Sequence, residues 1–485
     1  MQRFPSISSR PRRFFVLAGV LTFTLGLSAA DTARRGRNET ALDRYVAAPD
    51  GTFAWKKVAE QRDDGASDCT IDLVSQNWLT PAEVDRTEWR HWLLVVKPDG
   101  LKHTTALLFI AGGSNRPGNP PRPSSDLLEI ARNTHSVVAE LRLIPNQPLV
   151  FRADGRERKE DDLIAYTWDR FLRTGDERWP AFLPMTKAVV RAMDATTAWL
   201  ASDEGGHVQV DTFVVAGMSK RGWTTWTTAA VDRRVVAICP FVAEILNLEV
   251  SMEHHYRAYG FYAPAVGDYT AHHIMDWSGT PEARALYTIV DPFSYRDRLT
   301  MPKLQINSCG DQFFLPDSPQ FYFDALPGEK YLRFIPNSDH GLKNTDAFQT
   351  LGAWHHAILN HTPLPQFSWK HGANGTLSVT AKTRPVGVLL WQATNPTARD
   401  FRLETLGAAW KSSPVADVNG TFFRTVARPE QGWTAYFMEL TFDLGASGTL
   451  KLTTDVAVTP DTLPFAAPNP PKPTGFLSAG PNAAP

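Results

Sequence analysis

The 485-residue chain carries 50 Lys and Arg against 51 Asp and Glu, a formal charge of -1, with 43% hydrophobic and 21% charged residues. So even a balance removes the electrostatic basis for binding nucleic acid or an anionic membrane surface, and the composition excludes a wholly disordered chain. The length suits two or three domains.

The chain opens with Arg10, Arg12 and Arg13 ahead of the apolar run Phe14 to Leu27, followed by the small residues Ser28-Ala29-Ala30. This is the pattern of an export signal, so residues 1–30 are expected to be a signal peptide cleaved after Ala30. Export by the Sec or the twin-arginine route would leave a periplasmic or secreted protein. No later stretch reaches the about 18 uninterrupted apolar residues of a membrane span, so no stable span is expected after cleavage. Cys69, Cys239 and Cys309 are too few and too scattered for a zinc site or a disulfide framework, and leave room for one disulfide at most.

Strands are expected at 92–97, at Thr105–Ala111 running into Gly112 and Gly113, and at Ser136–Leu141. Helical periodicity follows from 161 to 200, broken near Pro180 and Pro184, and the charged run Arg156 to Asp162 before it reads as a solvated helix start. The segment 211–216 is then an apolar strand that turns sharply at Gly217, presents Ser219 at its tip and enters a helix at Lys220. This is the shape of a nucleophile elbow with one irregularity: Arg221 stands where G-x-S-x-G has its last glycine, and Gly222 comes one place late. Strands at 235–240, 303–308 and 331–335 alternate with helical stretches near 318–326 and 346–360. Such alternation, with strands apolar throughout, implies a mostly parallel sheet covered on both faces, whose reactive groups collect at the carboxyl ends of its strands.

Three strand ends carry chemistry: Ser219, Asp311 and His340, in the chain order of α/β-hydrolases. A serine hydroxyl needs a base to take its proton, and the base needs an acid to hold its tautomer, so these three residue types form a complete catalytic set. Asp311 follows Ser219 by 92 residues and precedes His340 by 29, leaving room for a cap in the first gap and one helix in the second. Asp317 and Asp339 are the alternative acids, Asp311 being preferred because it follows its strand at once. An oxyanion hole is expected from the amide of Lys220 and from the loop of Gly112 and Gly113. The segment 244–290, rich in aromatic and His residues, is expected to cap Ser219. Trp223, His254, His255, Tyr256 and Tyr259 are the expected substrate contacts, with Glu253 or Asp268 as a seat for a cationic group such as an amine. Adjacent His pairs diverge on a helix and no carboxylate cluster accompanies them, so neither a metal nor another cofactor is expected.

The segments Gly217-Met-Ser-Lys-Arg-Gly-Trp-Thr-Thr-Trp226, Ala165-Tyr-Thr-Trp-Asp-Arg-Phe171, Asp291-Pro-Phe-Ser-Tyr-Arg-Asp297 and Gly310-Asp-Gln-Phe-Phe-Leu-Pro-Asp317, with Pro336-Asn-Ser-Asp-His340, carry a further signal. Together they resemble the PhoPQ-activated pathogenicity-related family over residues 45–460. The resemblance implies an exported α/β-hydrolase with Ser219, Asp311 and His340 at the catalytic positions, and the Arg221 irregularity is shared by that family's elbow. Its name records regulation and virulence and implies no substrate.

Beyond residue 366 the texture changes to short alternating segments between Gly, Pro, Asn and Asp turns, which reads as a C-terminal antiparallel β-sandwich over 366–460. It is expected to brace the enzyme, or else to bind a glycan or protein partner. The Pro- and Ala-rich segment 461–485 is expected to be a disordered tail. The whole reads as an α/β-hydrolase fold over 31–365 with a helical cap insertion at 244–290, acting on a small-molecule or peptide substrate. The rival reading is a non-catalytic secreted signalling or binding protein on the same fold.

Overall fold

The computed structural model describes residues 39–478, so the expected signal peptide lies outside the described residues. Its framework is a mixed sheet whose first part comprises β1 (Ala54–Asp63), β2 (Ala66–Asn77), β3 (Glu88–Pro98), β4 (Thr105–Ile110), β5 (Val138–Leu141), β6 (Thr212–Met218), β7 (Val235–Phe241), β8 (Lys303–Ser308) and β9 (Lys330–Ile335). Side by side these run β1-β2-β3-β5-β4-β6-β7-β8-β9. The strands from β5 to β9 are parallel, and β3 joins β5 antiparallel. With β4 and β5 exchanged and a strand-to-helix turn after β6, this is a sheet of the α/β-hydrolase type.

Among the helices are α1 (Ser125–Thr134), α2 (Glu160–Thr174), α3 (Phe182–Ala201), α4 (Lys220–Val231), α5 (Leu248–Tyr259), α6 (Gly267–Ala271), α7 (Pro281–Val290) and α8 (Ala347–Leu359). Strand side chains alternate between two cores. Ala106, Leu108 and Ile110 of β4 and Phe213 and Val215 of β6 enter one core with Val189 and Met193 of α3 and Trp226 of α4. Leu107, Phe109, Val214 and Ala216 enter the other with Ile130 of α1 and Leu351 and Trp354 of α8. Burial on both faces explains why these strands are apolar at every position. Gly175, with φ 71, ends α2, so Pro180 falls in the linker and Pro184 in the first turn of α3, where its missing amide leaves no bond unmade. The helical stretch expected near 318–326 is a single 3-10 turn at Ser318–Phe321. Cys69, Cys239 and Cys309 are buried free thiols. Among the described residues no helix is long and apolar enough to cross a membrane.

The C-terminal strands are β10 (Phe367–His371), β11 (Thr376–Ala381), β12 (Gly387–Asn395), β13 (Lys411–Pro414), β14 (Thr421–Thr425), β15 (Trp433–Asp443), β16 (Thr449–Thr453) and β17 (Ala457–Thr459). They pair antiparallel, but they do not form the separate module expected from the sequence. β16, β15, β12 and β13 continue the central sheet beyond β9, and β10, β11 and β14 form a three-stranded layer. That layer packs Leu377, Val379 and Phe422 in one apolar cluster with Leu390, Met438 and Phe442 of the continuation. The seam at β9 is polar and closed: Leu332 pairs with Thr453, the Phe334 amide donates to Thr453 Oγ1 at 3.1 Å, and buried Arg333 meets Glu439. Alternation in the sequence reveals strands, but not which sheet they join.

The tail also departs from expectation. Residues 461–478 lack regular structure yet are held in place: Phe465 donates its amide to the Arg257 carbonyl and lies over Gly260, and Phe476 packs on Phe171 and Gly175. The amides of Leu477 and Ser478 donate to Glu282 Oε1 at 3.0 and 2.7 Å. Pro-rich composition removed helix and strand, but two aromatic anchors and a buried carboxylate replace them.

His91 and His355 are sealed in the fold, Nε2 lying 2.9 Å from Ser75 Oγ in the first and 2.8 Å from Ser136 Oγ in the second. Burial pushes His91 down to about 4 and His355 to about 3. An unfolded histidine titrates near ~6.5, so below that pH the unfolded chain takes up protons that the folded chain refuses. The stability tied to these neutral rings is therefore complete above pH ~6.5 and is lost as pH falls through the range down to about 3. We expect His355→Gln to lower the urea midpoint at neutral pH but to lose less on acidification, so that its gap from the parent protein narrows between pH ~7 and ~4.5.

Candidate active site

The turn between β6 and α4 holds Ser219 at φ 58 and ψ -127, a left-handed backbone that a serine keeps only where its neighbours impose it. Two glycines make this possible. A Cβ on Gly217 would stand 2.7 Å from the Arg221 carbonyl, and one on Gly222 would stand 2.8 Å from both the Phe241 carbonyl and Ala243 Cβ. α4 thus begins pressed against the end of β7, and the position that must be bare is 222. The Ser219 amide donates to the same Phe241 carbonyl at 2.9 Å. Position 221 is free to carry a side chain, and Arg221 donates Nε to the Ile144 carbonyl at 2.5 Å. The late glycine is therefore the packing glycine of this elbow. Lys220, first residue of α4, brings an amide with no partner inside the helix, at the positive end of the helix dipole.

Asp311 follows β8 and His340 follows β9. Asp311 Oδ2 accepts from His340 Nδ1 at 2.8 Å, and Oδ1 accepts from the amides of Phe313 and Phe314 at 2.7 and 3.3 Å. Gln312 Oε1 accepts the His340 amide at 3.0 Å, and the Phe313 ring lies 4.4 Å from the imidazole. With Nδ1 carrying the proton, Nε2 is the basic nitrogen, and it is buried with no hydrogen-bond partner, the Ser219 hydroxyl included. Asp317 is engaged elsewhere. Its Oδ2 lies 3.0 Å from His254 Nε2 and 2.5 Å from Arg399 Nη2; burial alone would raise this carboxyl, but Arg399 and His254 hold it well below the usual range. Asp339 turns Oδ1 to the Gly341 amide at 2.9 Å. Of the three candidate acids, only Asp311 meets His340.

Gly112 and Gly113 come directly off β4, whose Ile110 pairs with Gly217 of β6, so the loop and the elbow start side by side. Gly113 has φ 141, and a Cβ on it would stand 2.8 Å from the Leu143 side chain. Among the described residues neither glycine amide donates a hydrogen bond.

Ser219 lines a small pocket of about 50 Å³. The wall is chiefly apolar: Met252, Tyr269 and Tyr287 come from α5, α6 and α7, and Phe313 and Phe314 from the loop that carries Asp311. The segment expected to cap Ser219 thus supplies much of the lining. Trp223 also stands in the wall, Nε1 bonded to the Val290 carbonyl at 2.6 Å and its ring stacked on Phe182 at 4.4 Å. The other expected substrate contacts are absent from this lining. His254 turns to Asp317, and His255 accepts the Ala263 amide at 3.0 Å while burial pushes it down to about 3. Tyr256 packs on Tyr262, and Tyr259 lies under the Arg402 guanidinium. Helical geometry is the reason: Leu248 and Met252, one turn apart, hold the face of α5 toward the pocket, and the aromatic cluster occupies the others.

The seat for a cation also differs. Glu253 pairs with Arg257 at 3.4 Å, and Asp268 is not in the lining, whereas Asp161 is. Asp161 Oδ1 accepts from Tyr269 Oη at 3.1 Å and Oδ2 lies 3.1 Å from Lys220 Nζ; Asp162 meets His272 Nε2 at 2.8 Å. The charged run read as a solvated helix start therefore joins elbow and cap. Its signal in the sequence is the matching cation pair, Lys220-Arg221, directly after the elbow serine.

A family model for the PhoPQ-activated pathogenicity-related protein matches residues 42–402. The chain belongs to the PhoPQ-activated pathogenicity-related family. A relative of this family member, Autocrine proliferation repressor protein A of Dictyostelium discoideum, is 38% identical over 456 residues, covering 88% of this chain and 92% of that protein. Among solved structures, this chain is similar to acetyl xylan esterase 1 from Thermoanaerobacterium sp., 14% identical with a TM-score of 0.45, covering 66% of this chain and 91% of that one. It is also similar to Pyrococcus horikoshii acylaminoacyl peptidase, 12% identical with a TM-score of 0.37, covering 64% and 50%.

The elbow of this family member makes a direct test of its packing. Gly222→Ala puts a methyl group against the end of β7 and is expected to lower unfolding free energy by about 1–3 kcal/mol, whereas Gly118→Ala, with open space around it, is expected to be neutral. Urea denaturation of the two variants measures the difference.

Proposed function

We propose that the protein is an exported serine hydrolase that cleaves an ester or amide bond, peptide bonds included, through Ser219, His340 and Asp311 and an acyl-enzyme. The observation that carries this reading is the His340 imidazole: Asp311 holds Nδ1 at 2.8 Å, and Nε2 is buried with no partner, on a loop packed against Phe313 and Phe314 of the Ser219 pocket. In this reading Nε2 takes the Ser219 proton as Oγ attacks the carbonyl carbon, and the carbonyl electron pair moves to oxygen. Amides of Lys220 and of Gly112 or Gly113 receive that oxyanion. The intermediate collapses, the departing alcohol or amine takes the proton from His340, and water repeats the sequence on the acyl-enzyme to release the acid and restore Ser219. A pocket of about 50 Å³ with an apolar wall favours a small apolar group on the acyl side. The chemistry requires no cofactor. Export rests on the pattern Arg10 to Ala30, and the C-terminal strands, continuous with the central sheet, are read as bracing.

A second reading, a secreted signalling or binding protein without catalysis, draws support from the name of the Dictyostelium relative, a proliferation repressor.

Fluorophosphonate labelling separates the two. Wild-type protein is expected to label and Ser219→Ala to remain unlabelled; equal labelling of both, or of neither, leaves the signalling reading. Asp311→Asn is expected to lower kcat by about 10³–10⁴-fold in a folded protein. Asp317→Asn is expected to lower stability instead, because Arg399 and His254 lose a buried partner, with turnover per folded molecule retained. N-terminal sequencing of the exported protein is expected to begin at Asp31.

A further inference from the structure

Glu160 opens α2 with φ 50, a backbone conformation that a residue with a side chain holds only where its surroundings fix it. A closed set of polar contacts fixes it here. Its amide donates to Gln147 Oε1 at 2.7 Å, and its Oε1 accepts from Gln147 Nε2 at 2.5 Å, so one glutamine clasps both its main chain and its carboxylate. Gln147 Nε2 also lies 3.2 Å from the Gly113 carbonyl, and the Gln147 carbonyl accepts the Asn115 amide at 2.5 Å. The loop after β4 is thereby gripped at two points.

On its other side Glu160 accepts both terminal nitrogens of Arg221, at 2.8 and 2.7 Å, and lies 2.8 Å from Lys220 Nζ. Burial works against its ionisation, but these two cations hold its carboxyl well below the usual range. Arg221 completes the circuit, since its guanidinium occupies the space where a Cβ on Gly112 would come within 2.6 Å. Lys220 and Arg221 are the two residues after Ser219, and Gly112 and Gly113 are the loop expected to supply the second oxyanion donor. The charges balance within the cluster: Glu160 and Asp161 face Lys220 and Arg221.

We propose that Glu160 is a positioning residue for carbonyl activation: through Arg221 on one side and Gln147 on the other, it sets the separation between the Lys220 amide and the amides of Gly112 and Gly113. This rests on the serine-hydrolase reading. Glu160 touches neither the nucleophile nor the base. Its effect is on where the two halves of the oxyanion site stand when the carbonyl oxygen becomes charged, so it acts on the transition state more than on substrate binding.

The test uses the full mature chain with p-nitrophenyl acetate and a fluorophosphonate, comparing wild type, Glu160→Gln, Gln147→Leu, Arg221→Gln and the double variant Glu160→Gln/Arg221→Gln. Glu160→Gln is expected to lower kcat per titrated active site by about 10–100-fold, short of the about 10²–10³ that follows outright loss of a donor. KM is expected to change less than threefold, phosphonylation to slow with kcat, and amide exchange at Asn115, which donates to the Gln147 carbonyl, to quicken. The double variant is expected to lose little more than either single one, because the two residues act as one device. Gln147→Leu, which leaves Arg221 its carboxylate, is expected to show a smaller loss of the same kind. A Glu160→Gln protein with wild-type kcat per active site, or with unchanged exchange at Asn115, overturns the proposal alone. A wild-type protein that neither labels nor turns over overturns the hydrolase reading with it.

Discussion

The closeness of α4 to β7 is the constraint from which the site follows. Gly222 allows the contact, and the contact decides where the helix begins, how far the Ser219 backbone must bend and which residues the first turn offers to the pocket. A left-handed serine is unfavourable by about 1–3 kcal/mol, and the helix behind it is built to hold that strain. Its middle reads Thr224-Thr225-Trp226-Thr227-Thr228, all buried. The short side chains permit close packing, and the hydroxyls are satisfied internally: Thr224 and Thr228 donate to carbonyls four residues back, at 2.8 and 2.7 Å, and Thr227 meets Thr186 of α3 at 2.6 Å. A polar-looking helix can thus lie in the interior without an unmet hydrogen bond on those threonines.

Charge is partitioned around the site with similar economy. Glu160 and Asp161 answer Lys220 and Arg221 on the elbow side, and His254 and Arg399 answer Asp317 on the far side of the Asp311 loop. Each cluster is neutralised by its own partners. Asp311 is left to two backbone amides and one imidazole, an arrangement that leaves the His340 ring a single carboxylate to follow.

Much of this was legible in the sequence because it depends on local order. Strand ends announced Ser219, Asp311 and His340, and the preference for Asp311 over Asp317 needed only the short distance from the end of β8. The irregular glycine was legible as an oddity, but its reason lies in Phe241, the last residue of another strand, and Ala243 just beyond it. The aromatic cluster on α5 misled for a general reason: residue type suggests a ligand surface, whereas helical phase decides what faces the pocket, and the phase belongs to Leu248 and Met252. The acids at 160–162 read as solvated because charge runs ordinarily are, and their partners lie about sixty residues later for Glu160 and more than a hundred for Asp162. The union of the C-terminal strands with the central sheet could not be read at all, since period-two alternation is the same in either sheet.

That union bears on when the molecule becomes complete. The Asp311 and His340 loops are fastened by parts of the chain that come much later: Leu403 donates its amide to the Gly310 carbonyl, Asn337 exchanges hydrogen bonds with the Trp410 main chain, and Thr453 covers the edge of β9. Ser219 has its own strand and helix long before these segments exist. During synthesis from the N-terminus, the half that carries Ser219 is therefore finished first and the half that carries His340 last. The chain carries its own delay: the contacts that fix the histidine loop are complete only when the chain has been made as far as Thr453.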